Sequence, residues 1–182
     1  MEDKYFRLIM NAYEKRKGTL YAPKEIRAGM IIDAEPVPTG WENFIFTLRD
    51  GMYGSYHMAN VCANLVDDEL KDIISKYITL DYPLEFLPVK AQSEEYGDKQ
   101  YYIMHFKIIF DVLDLENSVY LDLDDGSKSL VKPCLSYEKV KGLNIFNSRP
   151  YINDIIVSNK LRKEIKKKKL DLGMVFSEIR CI

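Results

Sequence analysis

The sequence predicts an α+β fold, with a mixed, mainly antiparallel sheet and two or three helices in a single domain covering residues 1–182. Three observations carry this. Short runs rich in aromatic and β-branched residues recur between Gly, Pro and Asp signals, as strands do. Helical spacing with a capping residue is confined to a few stretches. The chain of 182 residues is 47% hydrophobic and 30% charged, which suits one folded domain able to bury a core without covalent staples.

Taken in order, residues 5–12 (YFRLIMNA) read as a first strand, and 15–18 (KRKG) as a turn. Residues 19–27 carry no clear pattern. Ala28 to Ala34 reads as a short strand, and 35–40 (EPVPTG) as a loop marked by its prolines and glycine. Residues 41–48 (WENFIFTL) alternate in part and predict a half-buried strand, with a turn at Arg49–Gly51. Residues 52–61 resist assignment.

Asp67 is placed to cap a helix in which Leu70, Ile73, Ile74 and Tyr77 fall at i, i+3, i+4 and i+7. Residues 84–91 predict a strand whose Pro88 favours an edge. After a turn at 93–100, the apolar run 101–113 predicts a long central strand. DLDDGS at 122–127 predicts a hairpin turn with Gly126 supplying the positive φ. A short helix is expected at 136–142 and a strand at 154–158. Ser158 then caps a helix to about Leu170, Gly173 ends that element, and 174–179 form a last strand.

The net charge of −2 conceals a division. Residues 1–27 carry +3, residues 28–159 carry −10, and the basic stretch 160–169 carries +6. An acidic body repels phosphates and argues against nucleic acid as the main partner. It suits a basic protein partner. Cys62, Cys134 and Cys181 are odd in number and far apart, which argues for a reducing compartment. The start MEDKYFRLIM does not read as a signal peptide, and no apolar stretch reaches membrane-spanning length. The expected location is the cytoplasm, without membrane attachment.

The candidate sites lean toward recognition rather than chemistry. Trp41, Tyr53 and Tyr56 lie near Gly40, Gly51 and Gly54 and are candidate interface anchors, with His57 as a further contact residue. Phe44 and Phe46 read as core. Asp122, Asp124 and Asp125 form an exposed acidic knob suited to a basic partner. As a calcium loop that segment fails, since its fifth position is Gly126 and its twelfth is Pro133. His57 and His105 lack Cys or acidic neighbours at zinc-ligand spacing. Phosphate-cradling and nucleophile-elbow motifs are missing from the sequence. No catalytic, metal or cofactor-binding residue is therefore assigned, and no cofactor is expected.

One alternative is a small hydrolase using Asp111, Asp114 and Glu116 with His105. On a strand, Asp114 and Glu116 share a face while Asp111 points away, so a turn-ordering network is the preferred role. Another alternative is a structural or scaffolding protein.

Several segments follow a recognisable order: Tyr101-Tyr102-Ile103-Met104, then Asp111 to Ser118 (DVLDLENS), then Gly142 to Phe146 (GLNIF). Ile155 to Ser158 opens a helix, and Leu172 to Phe176 (LGMVF) closes the set. In these the chain resembles the bacterial immunity-protein family of polymorphic toxin systems that is numbered eleven, formerly a domain of unknown function. The resemblance covers about residues 80–182, and residues 1–79 match loosely. His105 and the basic run Lys166–Lys169 depart from the family's pattern. The resemblance implies a non-enzymatic protein that binds and neutralises a cognate toxin by occlusion. The sequence leaves its oligomeric state open.

Overall fold

The computed structural model describes residues 4–11, 13–26, 33–37, 39–61, 63–80, 83–148 and 151–182, with backbone alone at 151–154. Among these the chain folds as α+β with more strand than helix. The predicted single sheet is in fact two sheets and a separate hairpin.

The first sheet has five strands: β1 (Tyr5–Met10), β10 (Cys134–Leu135), β11 (Ile145–Ser148), β12 (Tyr151–Ser158) and β13 (Met174–Cys181). Their order is β10–β13–β1–β12–β11. The N-terminal strand β1 is its centre, antiparallel to β12 through Tyr5↔Ser158 and to β13 through Tyr5↔Ile179.

The second sheet has six strands: β2 (Thr19–Tyr21), β3 (Ile45–Arg49), β4 (Tyr56–Met58), β5 (Asn64–Val66), β6 (Leu84–Gln92) and β7 (Lys99–Phe106). Their order is β2–β3–β6–β7–β5–β4. Among the described residues, strands β8 (Val119–Asp122) and β9 (Lys128–Lys132) pair with each other alone.

Helix α1 (Asp68–Ser75) is capped by the Asp67 carboxylate, which accepts from the Leu70 N–H, as the sequence predicts. Its apolar face buries Leu70, Ile73 and Ile74. Helix α2 (Tyr137–Val140) is a single turn. Helix α3 (Asn159–Lys167) is capped by Ser158 and buries Leu161 and Ile165. The larger apolar core joins β1, β11 and β12 to α1 and α3, and a second core lies within the six-stranded sheet around Phe46, Leu65 and Tyr101.

Several expectations are corrected. Residues 41–48 divide into a 3-10 turn at Trp41–Asn43 and strand β3. The run 101–113 stops being a strand at Phe106, because β6 offers no pairing partner beyond Leu84↔Phe106. Pro88 does not lie on an edge strand, since β6 sits between β3 and β7. It is tolerated because the parallel β3 ladder begins only at Ile45↔Lys90, beyond Pro88. The strand expected at Ala28–Ala34 lies mostly outside the described residues, and Asp33–Glu35 form turn and bend. No helix of the described residues is long and apolar enough to cross a membrane.

Candidate functional site

Two grooves open at opposite ends of β6. The larger, about 720 Å³, is lined by Thr47 to Gly51 and by Gln92 to Tyr96 with Asp98. Its wall is the turn between β6 and β7, which local bonds hold in shape. Ser93 and Gly97 exchange both backbone hydrogen bonds, Gly97 N–H to Ser93 O at 2.9 Å and Ser93 N–H to Gly97 O at 3.1 Å. The Ser93 hydroxyl accepts from the Glu95 and Tyr96 N–H groups. From beneath, the Tyr53 hydroxyl donates to Gly97 O at 2.9 Å.

Four carboxylates border this groove: Asp50, Glu94, Glu95 and Asp98. Among the described residues none of them forms an ion pair. The groove's one arginine, Arg49, lies 5.0 Å over the Tyr21 ring. Tyr96 stands 44% exposed on the rim, edge-on to Tyr53 at 6.4 Å.

A polar layer supports the turn from inside. Lys99 donates to Asp67 at 2.9 Å and lies over the Tyr101 ring at 5.3 Å. The Tyr101 hydroxyl donates to Gly54 O. His57 Nε2 accepts from the Gly54 N–H at 3.0 Å, which requires a neutral ring. Burial first, then the nearby Lys17 and Lys99 ammonium groups, push the His57 pKa down to about 3. Lys17 is itself buried, its stem threaded past Gly54 and Gly173. A Cβ on Gly173 would collide with Lys17 Cδ, and the φ of +73° there strains any other residue. Desolvation lowers the Lys17 pKa to about 8.

The smaller groove, about 370 Å³, lies between Ala34–Val37, Trp41, Glu85, Leu87, His105 and Lys107. Its charges answer one another. Glu85 lies 3.1 Å from Lys107 Nζ and 3.7 Å from His105 Nδ1. Behind it, Asp33 joins the two sheets. One oxygen accepts from the Phe106 N–H of β7 at 2.7 Å, and the other from the Asn147 side-chain amide of β11. Burial raises the Asp33 pKa to about 6, against the lowering effect of these bonds.

No protein-family model and no curated protein matches this chain. The reading of the site therefore rests on geometry.

The structure separates the predicted contact residues. Trp41 lines the smaller groove and Tyr53 underpins the larger one. Tyr56 and His57 are only 1% exposed, which corrects their reading as contact residues. As neighbours in β4 they point to opposite faces and both are covered, Tyr56 in the larger core with its hydroxyl 2.7 Å from Asn64 Oδ1, and His57 edge-on to Tyr101 at 5.5 Å. Asp122, Asp124 and Asp125 are exposed, but on the β8–β9 hairpin. Asp111 and Asp114 are held in their own turns rather than gathered about His105. Asp111 accepts from the Leu113 N–H, and Asp114 accepts from the backbone and side chain of Asn117. Among the described residues no three His, Cys, Asp or Glu side chains are grouped to hold a metal ion.

The sequence reading passed over Glu94, Glu95 and Asp98 as turn residues. Their acidity in SEEYGD was the available signal. Lys17, within KRKG, carried none.

Proposed function

We propose that this chain is an immunity protein that binds a cognate bacterial toxin in the cytoplasm and neutralises it by occlusion, through the acidic groove at the β6–β7 turn. The observation that supports this most is the set of four carboxylates without an ion-pair partner among the described residues, Glu94, Glu95 and Asp98 on a turn already fixed by Ser93, Gly97 and Tyr53, and Asp50 facing them from the turn after β3. A fixed turn loses little conformational entropy on docking. Unpaired carboxylates speed encounter with a basic surface and penalise an acidic one. Tyr96 supplies an aromatic anchor at the rim. The −10 charge of residues 28–159 extends the same field over the body. The family resemblance of residues 80–182 points the same way. A complex of this kind buries about 1,600 Å² in total, more than the groove alone, so the surrounding acidic surface takes part.

Co-expression with the toxin encoded beside its gene tests the proposal. Growth is expected to be restored, and the two proteins are expected to co-purify. Full toxicity while the chain accumulates in folded form contradicts it for that toxin.

A further inference from the structure

We propose that the β8–β9 hairpin is a dimerisation arm, and that its occupant is the same hairpin of a second copy lying antiparallel across it.

The hairpin has two unlike faces. Tyr120 and Leu130 lie opposite each other, and Leu130 packs against the main core. On the other face Val119, Leu121 and Val131 are 50%, 57% and 53% exposed, and Leu123 at the turn is 42% exposed. A two-stranded sheet is marginal in water, and a contiguous apolar patch on it marks an interaction surface. Val119, Leu121 and Leu123 alternate along β8 and just past its end on this face, with Ser129 opposite Leu121, so its apolar side chains run from the base to the tip.

Charge selects the occupant. The tip carries Asp122, Asp124 and Asp125, all exposed; Asp122 lies 3.8 Å from Lys128 Nζ, while Asp124 and Asp125 form no ion pair among the described residues. At the base a groove of about 350 Å³ is lined by Arg7, Lys132 and Arg180 together with Val119 and Val131. Glu178 in the same groove is held by Lys4 at 2.7 Å. Lys132 and Arg180 form no ion pair among the described residues. One arm thus presents an acidic end, an apolar middle and a basic end. A uniformly basic partner would gain at the tip and be repelled at the base. A second copy related by a two-fold axis through the middle presents the same three zones in reverse order. Each acidic tip then meets a basic groove, and the apolar strips meet at the axis. The contact is small, which places the expected dissociation constant on the order of micromolar.

Sedimentation and light scattering over a concentration series test this. The wild-type chain is expected to pass from monomer to dimer. The tip-reversed variant (Asp122→Lys with Asp124→Lys) and the base-reversed variant (Lys132→Glu with Arg180→Glu) should each dimerise roughly tenfold or more weakly, with unchanged melting temperatures. Mixed in equal amounts they should form a heterodimer, because each tip then meets a groove of opposite sign. Leu121→Ser should weaken the wild-type dimer while leaving the fold intact. A wild-type chain that stays monomeric throughout overturns the proposal. So does a mixture of the two reversed variants that stays monomeric.

Discussion

At one end of β6, Glu85 is drawn between Lys107 and His105, and Asp33 behind them ties β7 to β11. At the other end Asp50, Glu94, Glu95 and Asp98 border an open groove, and among the described residues no cation is paired to them. Both ends are rich in carboxylates. The first uses them inside the molecule, where they join secondary-structure elements. The second leaves them without an ion pair among the described residues, beside a turn whose shape is held by Ser93, Gly97 and Tyr53. Net charge does not distinguish the two regions. What distinguishes them is whether each charged group already has a partner. The same substitution, loss of a carboxylate, should therefore cost stability at one end and binding at the other.

The largest stability effect is expected at Asp33. Asp33→Ala removes the acceptor of both the Phe106 N–H and the Asn147 amide across the inter-sheet seam. It should destabilise by about 2–4 kcal/mol in a chemical denaturation series. A loss no larger than that of a surface change would erase the distinction between the two ends.

Next comes Lys17. Its pKa near 8 means that the buried ammonium is disfavoured in the folded state at neutral pH. Lys17→Met keeps the stem and removes the charge, and should stabilise by about 1–3 kcal/mol at pH 7. The unfolded chain holds the Lys17 proton up to about pH 10.5, so wild-type stability recovers as pH rises from about 8 to 10.5. The advantage of the variant should vanish over that window.

On the acid side two groups oppose each other. His57, ordinarily near 6.5 and here about 3, contributes stability that is lost as pH falls through that range. Asp33, raised from 3.8 to about 6, contributes stability at low pH that is lost as pH rises through that interval. Comparing Asp33→Asn with wild type across pH 3 to 7 isolates the second contribution. The wild-type advantage should shrink as pH rises, and a growing advantage would contradict the buried placement of Asp33.

A smaller effect is expected at Tyr53. Tyr53→Phe deletes the hydroxyl bond to Gly97 O and should cost about 0.5–1.5 kcal/mol. The smallest effect on stability is expected from Glu94→Lys with Glu95→Lys, within about 0.5 kcal/mol by thermal denaturation, since both side chains are exposed and make no ion pair among the described residues.

Local signals were readable in the sequence. Asp67 caps α1 and Ser158 caps α3 as expected, and Gly126 turns the hairpin with φ +81°. What could not be read depends on neighbours distant in sequence. The apolar run from Tyr101 gave no warning that its ladder would end where β6 begins, after Pro83. Lys17 looks like any turn lysine until Gly54 and Gly173 are brought beside it. The basic run of α3 reads as a charged face, yet Lys160, Arg162 and Lys166 lie over Tyr77, Phe6 and Phe176. The acidic groove was half legible. Its residues are local to 92–98, but its opposite wall comes from β3 and the turn after it, which pairs with β6 in parallel across more than forty intervening positions.

The most direct test is calorimetric titration of the proposed cognate toxin with wild-type chain and with the chain carrying Asp50→Asn, Glu94→Lys, Glu95→Lys and Asp98→Lys, at low and high salt. Wild-type affinity should fall with salt, and the reversed groove should bind at least roughly tenfold more weakly at low salt while melting at the same temperature. Equal affinity of the two proteins at low salt would contradict the assignment of this groove as the toxin-docking surface.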